Sequence, residues 1–119
     1  MSIELATEYG KVNVANPVVA VIAGSAALEC YGLVGMSSRN QLKDGIAELL
    51  GRDNLSRGVE VRREHDLLHV DLYIIVSYGT NISEVAHNVQ NRVKYILGEV
   101  VGLQVDRVNI FVQGVRVAK

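Results

Sequence analysis

Three histidines, one cysteine and a few carboxylates are the side chains of this chain best suited to chemistry. His65 and His69 are four apart, a spacing that on a helix would turn two imidazoles toward one metal ion. Both fall in a turn-and-strand context, where four residues span about 13 Å, too far to share an ion. Cys30 falls near the end of a predicted helix, away from the positive terminus that would lower a thiol pKa, and reads as a small core residue. Ser25 and Ser77 lack a His–Asp pair at any recognised spacing. Asp66 and Asp71 flank His69; Asp71 shares its strand face, and a charge pair accounts for them. His87 falls on an outer helix face. The glycines form neither GxGxxG nor a P-loop. The expectation is a protein with no catalytic site, cofactor, metal or small-molecule substrate.

The elements that must position these residues centre on the run Leu67–Gly79, LLHVDLYIIVSYG. Leu68, Val70, Leu72, Ile74 and Val76 alternate with His69, Asp71, Tyr73, Ile75 and Ser77, the period of a strand with one apolar face. Val59–Arg63 alternates likewise, and Glu64-His65-Asp66 reads as the hairpin turn between the two strands. Gly10–Ala15 is a further short strand, whereas residues 1–8 carry no strong pattern and are expected to fray. Asn16-Pro17 marks a helix start, with Asn16 as cap, and the helix is expected to run to about Cys30 and end at Gly32. Val18, Val19, Ile22, Ala26 and Leu28 give it an apolar side, Ala20, Ala23 and Ala27 let it pack closely, and Gly24 reads as a point of close helix–sheet approach. Leu33–Gly58 is broken by glycines; a short amphipathic helix is expected near Asn40–Leu50, followed by the polar connection GRDNLSRG. Asn81, with Glu84 three residues on, caps a second long helix. Its predicted buried stripe is Val85, Val89, Val93, Ile96 and Val100, with Gly102 as its end. Gln104–Val112 is the last strand, and Gln113–Lys119 a weakly patterned tail.

The order is β-α-(α)-β-β-α-β, which predicts a single α+β domain over residues 1–119 with a four-stranded mixed sheet and both long helices on one face, in the manner of split βαβ units. Right-handed crossovers would set the first strand beside the long central one. The opposite sheet face would carry Lys11 or Asn13, Asp71, Tyr73, Ile75, Asn109 and Phe111, and either the short helix or a second molecule would cover it. Tyr73, Ile75 and Phe111 there, together with His87, Asn88 and Asn91 on the amide-rich outer face of the second helix, are candidate interaction residues for a second copy or a protein partner.

Charge is balanced, 12 basic against 13 acidic residues for a formal charge of -1, so no global field draws nucleic acid or an anionic membrane. Split βαβ sheets can bind RNA through aromatics on an open face, and Arg62 and Arg63, with Arg52 and Arg57, supply a local basic cluster; RNA binding is the alternative reading. One cysteine excludes an intrachain disulfide, and the N-terminus has no signal-peptide pattern. The longest apolar run, Pro17–Ala27, is about half a membrane span. These features predict a cytoplasmic protein that does not insert in a membrane and reaches one only through a partner.

The run GKVNVANPVVAVIAGSAALECYGLVGM, with Gly10, Val12, Val14, Ile22, Ala23, Glu29 and Gly32, resembles the opening block of the bacterial alkaline shock protein family, also called the envelope stress response family. The later segments VDLYIIVSYG, ISEVAHNVQNRVK and VDRVNIFVQGV resemble its other blocks, so the likeness covers about residues 7–116. The short chain is similar to the small Gram-positive members encoded beside a dihydroxyacetone-kinase-like protein. The resemblance implies a non-enzymatic structural or interaction protein of cell-envelope stress homeostasis, a homo-oligomer or the partner of another protein such as a membrane anchor. It also implies, as a further alternative, an accessory subunit regulating a fatty acid kinase.

Overall fold

The computed structural model describes residues 2–38, 52–64 and 67–117. Six strands and two long helices follow in the order β1 (Ser2–Thr7), β2 (Gly10–Ala15), α1 (Asn16–Leu28), β3 (Leu33–Met36), a 3₁₀ segment (Arg52–Gly58), β4 (Val59–Glu64), β5 (Leu67–Ser77), α2 (Ile82–Tyr95) and β6 (Val105–Arg116). The helix expected near Asn40–Leu50 lies outside the described residues, as do His65 and Asp66 of the predicted turn. The flanking strands pair up to Glu64 opposite Leu67.

The α+β class and the four-stranded mixed sheet are as the sequence predicts, but the sheet draws on different strands. β5 is its spine. β6 runs parallel along one edge, from Leu68 opposite Val105 to Ser77 opposite Arg116. The other edge is shared end to end: β4 pairs antiparallel with Leu67–Leu72, and β3 with Ile74–Val76. The parallel neighbours are therefore the two strands joined by α2, and the Gly10–Ala15 strand is not beside the central one. That strand pairs instead with β1 in a separate antiparallel hairpin. The expected frayed N-terminus is thus a strand. Its pattern is weak because Glu4, Ala6 and Thr7 are exposed, while Leu5 packs on the core, as Val14 does from β2.

Both helices lie on the face of β5 that carries Leu68, Val70, Leu72, Ile74 and Val76, all at most 3% exposed. α1 turns its small residues inward: Val19, Ala20, Ala23, Gly24, Ala26 and Ala27 are buried. Of the expected apolar side Val19 and Ala26 are buried and Ile22 and Leu28 pack against the core, whereas Val18 is half-exposed. Small side chains win because they let the helix axis approach the layer below. A Cβ on Gly24 would sit 3.3 Å from Leu55 Cβ, which confirms the expected close approach and identifies the 3₁₀ segment as what approaches. The cap lies one residue earlier than Asn16. Ala15 is the extended N-cap and gives no side-chain bond. Gly32 is not the residue that ends α1. It lies four residues beyond Leu28, at φ +89°, where any Cβ would fall 2.7 Å from Val85 Cγ2. Its carbonyl accepts from Ser77 N at 2.9 Å, so it fastens the start of β3 to β5.

α2 begins as predicted, with Asn81 Oδ1 accepting from Glu84 N at 3.1 Å. Val85, Val89 and Val93 are buried. A π-helical turn at Ile96–Val101 then inserts one extra residue per turn. The inward position passes from the expected Val100, which is 67% exposed, to Leu97, which is fully buried. Gly102 closes the segment at φ +91°.

Candidate open-face interaction site

The sheet face away from the helices is built by alternate residues of three strands. β5 presents His69, Asp71, Tyr73 and Ile75; β6 presents Arg107, Asn109 and Phe111 opposite the first three; β4 presents Arg62 opposite His69. Because β5 is flanked on both edges, even its polar open-face residues are shielded: His69 is 9% and Asp71 6% exposed. A shielded carboxylate needs partners. Asp71 Oδ1 accepts from Asn109 Nδ2 at 2.8 Å and from Arg62 Nη2 at 3.2 Å. Arg62 also donates to Glu64 at 2.7 Å. The hydrogen bond to Asp71, then that residue's charge, holds the Arg62 guanidinium more firmly protonated than usual. His69 Nε2 stands 3.7 Å from both Glu64 Oε2 and Asp106 Oδ2. No metal-holding group of three such residues occurs among the described residues.

Beside this polar half lies an aromatic one. The Tyr73 and Phe111 rings stack across the parallel pair, centroids 4.9 Å apart and planes inclined by 16°. Phe111 remains 44% exposed. Ile75, the third predicted member, is fully buried and offers no surface. The arginine pair is split by strand alternation. Arg62 is committed to Asp71 and Glu64 on the open face, whereas Arg63 lines a recess with Leu5, Leu68 and Leu103 toward the hairpin. Arg62 and Arg63 therefore do not share one face. His87, Asn88 and Asn91 are exposed on α2, with Asn91 Nδ2 3.2 Å from His87 Nε2; Asn91 lines a recess with Val108 and Asn109 of β6. Cys30 is half-buried between α1 and α2, its Sγ 3.9 Å from the carbonyls of Ala26 and Asn88, and burial pushes its thiol pKa up. Sequence reasoning missed the Arg62–Asp71–Asn109 linkage. The strand periods put these residues on one face, but only the register sets them adjacent.

No described helix is long and apolar enough to cross a membrane. No solved structure matches the chain. Relatives do. The chain is 62% identical over 98% of its length to 98% of the uncharacterized protein YloU of Bacillus subtilis (strain 168). It is 38% identical over 98% of its length to 97% of the uncharacterized protein Spy1614 of Streptococcus pyogenes serotype M6. It is 34% identical over 92% of its length to 80% of a second Bacillus subtilis (strain 168) protein, YqhY, also uncharacterized. A family profile matches residues 4–117, nearly every described element. The chain belongs to the alkaline shock protein 23 family, whose described function is cell envelope-related.

Proposed function

We propose that this protein acts in cell-envelope homeostasis as a non-enzymatic interaction module, and that the open sheet face is where it binds another protein chain. The observation that carries the reading is the Tyr73–Phe111 stack. A large ring left 44% exposed on the edge strand of a sheet face, braced by a second ring on the central strand, is preorganised apolar area that association can cover at little entropic cost. The shielded Asp71 linkage next to it adds rigidity and fixed polarity. RNA binding draws no comparable support, since Arg62 is engaged with two carboxylates and Arg63 belongs to the other side of the sheet.

The test is the solution mass of the purified protein across concentration, alone and mixed with an envelope extract, for the natural chain and for Phe111→Asp. The expected result is a heavier species that Phe111→Asp abolishes while its circular dichroism spectrum is retained. A mass that the substitution leaves unchanged would overturn the assignment of this face.

A further inference from the structure

Among the described residues β6 pairs only with β5, so the outer edge of this twelve-residue strand faces no further described strand. Long sheet edges normally carry charges or proline that discourage pairing. Here the stretch Val108–Val115 contains neither.

Which groups point outward can be read from three hydrogen bonds. The carbonyls of Gln104 and Arg116, both on the open-face alternation, are taken by Leu68 N and Tyr78 N at the ends of β5, so open-face residues turn their backbone groups inward. Val108 belongs to the helix-face alternation, and its carbonyl is taken at 2.9 Å by Gln90 Nε2 from α2. Helix-face residues of β6 therefore direct N–H and C=O outward. Gln90 seals the first of these, which leaves Ile110 and Val112 as consecutive open positions. Beyond them a bulge at Gln113 breaks the period.

We infer that β6 pairs antiparallel with β6 of a second copy about a two-fold axis at Phe111, joining two four-stranded sheets into one; this rests on the open-face reading above and names its partner. The register follows from the edge. With Phe111 opposite itself, Ile110 of each copy meets Val112 of the other, and four backbone hydrogen bonds form without disturbing Gln90. A shift centring Ile110 requires Val108, which Gln90 holds. A shift centring Val112 brings Ile110 against the inward-turned Gly114. Charge agrees with the chosen register. Asp106 and Arg116 each lie five positions from Phe111, with bulges at Asp106 and Gln113 on the two sides, so each Asp106 lies beside the second copy's Arg116 at both ends. The aromatic pair agrees as well. Tyr73 and Phe111 on neighbouring strands stack at 4.9 Å, and a further strand at the ordinary sheet spacing sets the second copy's Phe111 in line to continue the stack. The arrangement is isologous and closes on itself as a dimer.

The test is oxidative cross-linking of Phe111→Cys in a Cys30→Ala background. Residues facing each other at a non-hydrogen-bonded antiparallel pair have Cα atoms about 4.5 Å apart, within disulfide reach. The expected result is a shift from 13.0 kDa to twice that mass under non-reducing conditions, with Tyr9→Cys on the hairpin tip as a solvent-exposed control that lags well behind. In the Phe111 background, Asp106→Arg alone should suppress the cross-link, and Asp106→Arg with Arg116→Asp should restore it. Cross-linking no faster than that of Tyr9→Cys, or a charge swap that fails to restore it, overturns the β6 pairing. If the natural chain still associates in a manner sensitive to Phe111→Asp, the open-face reading survives that loss. If it stays at one chain's mass and retains no partner, both fall.

Discussion

Asp71 and Arg62 meet diagonally across the β4–β5 pair, Oδ1 to Nη2 at 3.2 Å, and the same oxygen accepts from Asn109 of β6 at 2.8 Å. One carboxylate thus ties all three strands of the open face. Its own side chain is only 8% exposed, and the bond it accepts comes from Arg62 Nη2, while the buried Arg62 Nε finds no hydrogen-bond partner among the described residues. Asp71→Ala leaves an arginine and an amide without their acceptor and is expected to destabilise the fold by about 1–3 kcal/mol. Asp71→Asn, which keeps one oxygen for Asn109, is expected to lose less. Denaturant midpoints of the two variants check this; equal losses would show that the retained oxygen contributes nothing without its charge.

The π-turn after α2 yields a paired expectation. Leu97 is fully buried and Val100 is 67% exposed, the reverse of what an uninterrupted helix would place inward. Leu97→Ala should cost about 2–5 kcal/mol, the usual range for truncating a core leucine. Val100→Ala should change stability by under about 0.5 kcal/mol. Thermal or chemical unfolding of both variants decides the matter, and a large loss at Val100 would mean the helix continues regularly.

Cys30 supplies a pH dependence. Burial raises its thiol above the ordinary 9.0, with Arg92 opposing the shift and Glu29 reinforcing it. The unfolded thiol therefore ionises first as pH rises. The stabilising contribution is fully present below about pH 9, and is lost as pH climbs through the raised folded value. Comparing the natural chain with Cys30→Ala over pH 7–11 should show their stability difference drifting in favour of the alanine variant at the alkaline end. Curves that stay parallel would contradict it. At neutral pH the native thiol should also react with a thiol reagent more slowly than the unfolded chain does.

Much of this architecture was legible in the residues. The period-two run of β5 identified the spine and its apolar face. Asn81 with Glu84, and Gly102 at the far end, bounded α2 and its extension, because caps and left-handed glycines are local devices that work alike in any context. Opposite-face membership of Tyr73, Phe111 and Asp71 also followed from alternation alone.

What the sequence could not decide is what depends on partners distant in the chain. The apparent strand at Gly10–Ala15 was real, but it paired with an N-terminal segment whose exposed side chains left almost no pattern. β3 escaped notice because four residues broken by Gly35 are too few to show a period; β5's edge supplies the pairing they need. The inward face of α1 was set by how closely alanines and Gly24 let it approach Leu55 and Val59, a packing choice that hydrophobicity alone ranks wrongly. The π-turn moved one leucine in and one valine out, a one-residue shift invisible to a regular helical wheel. Local chemistry determined the elements and their faces. Only tertiary packing, through register, edge sharing and close approach, determined which residues of the open face touch and which edge remains open.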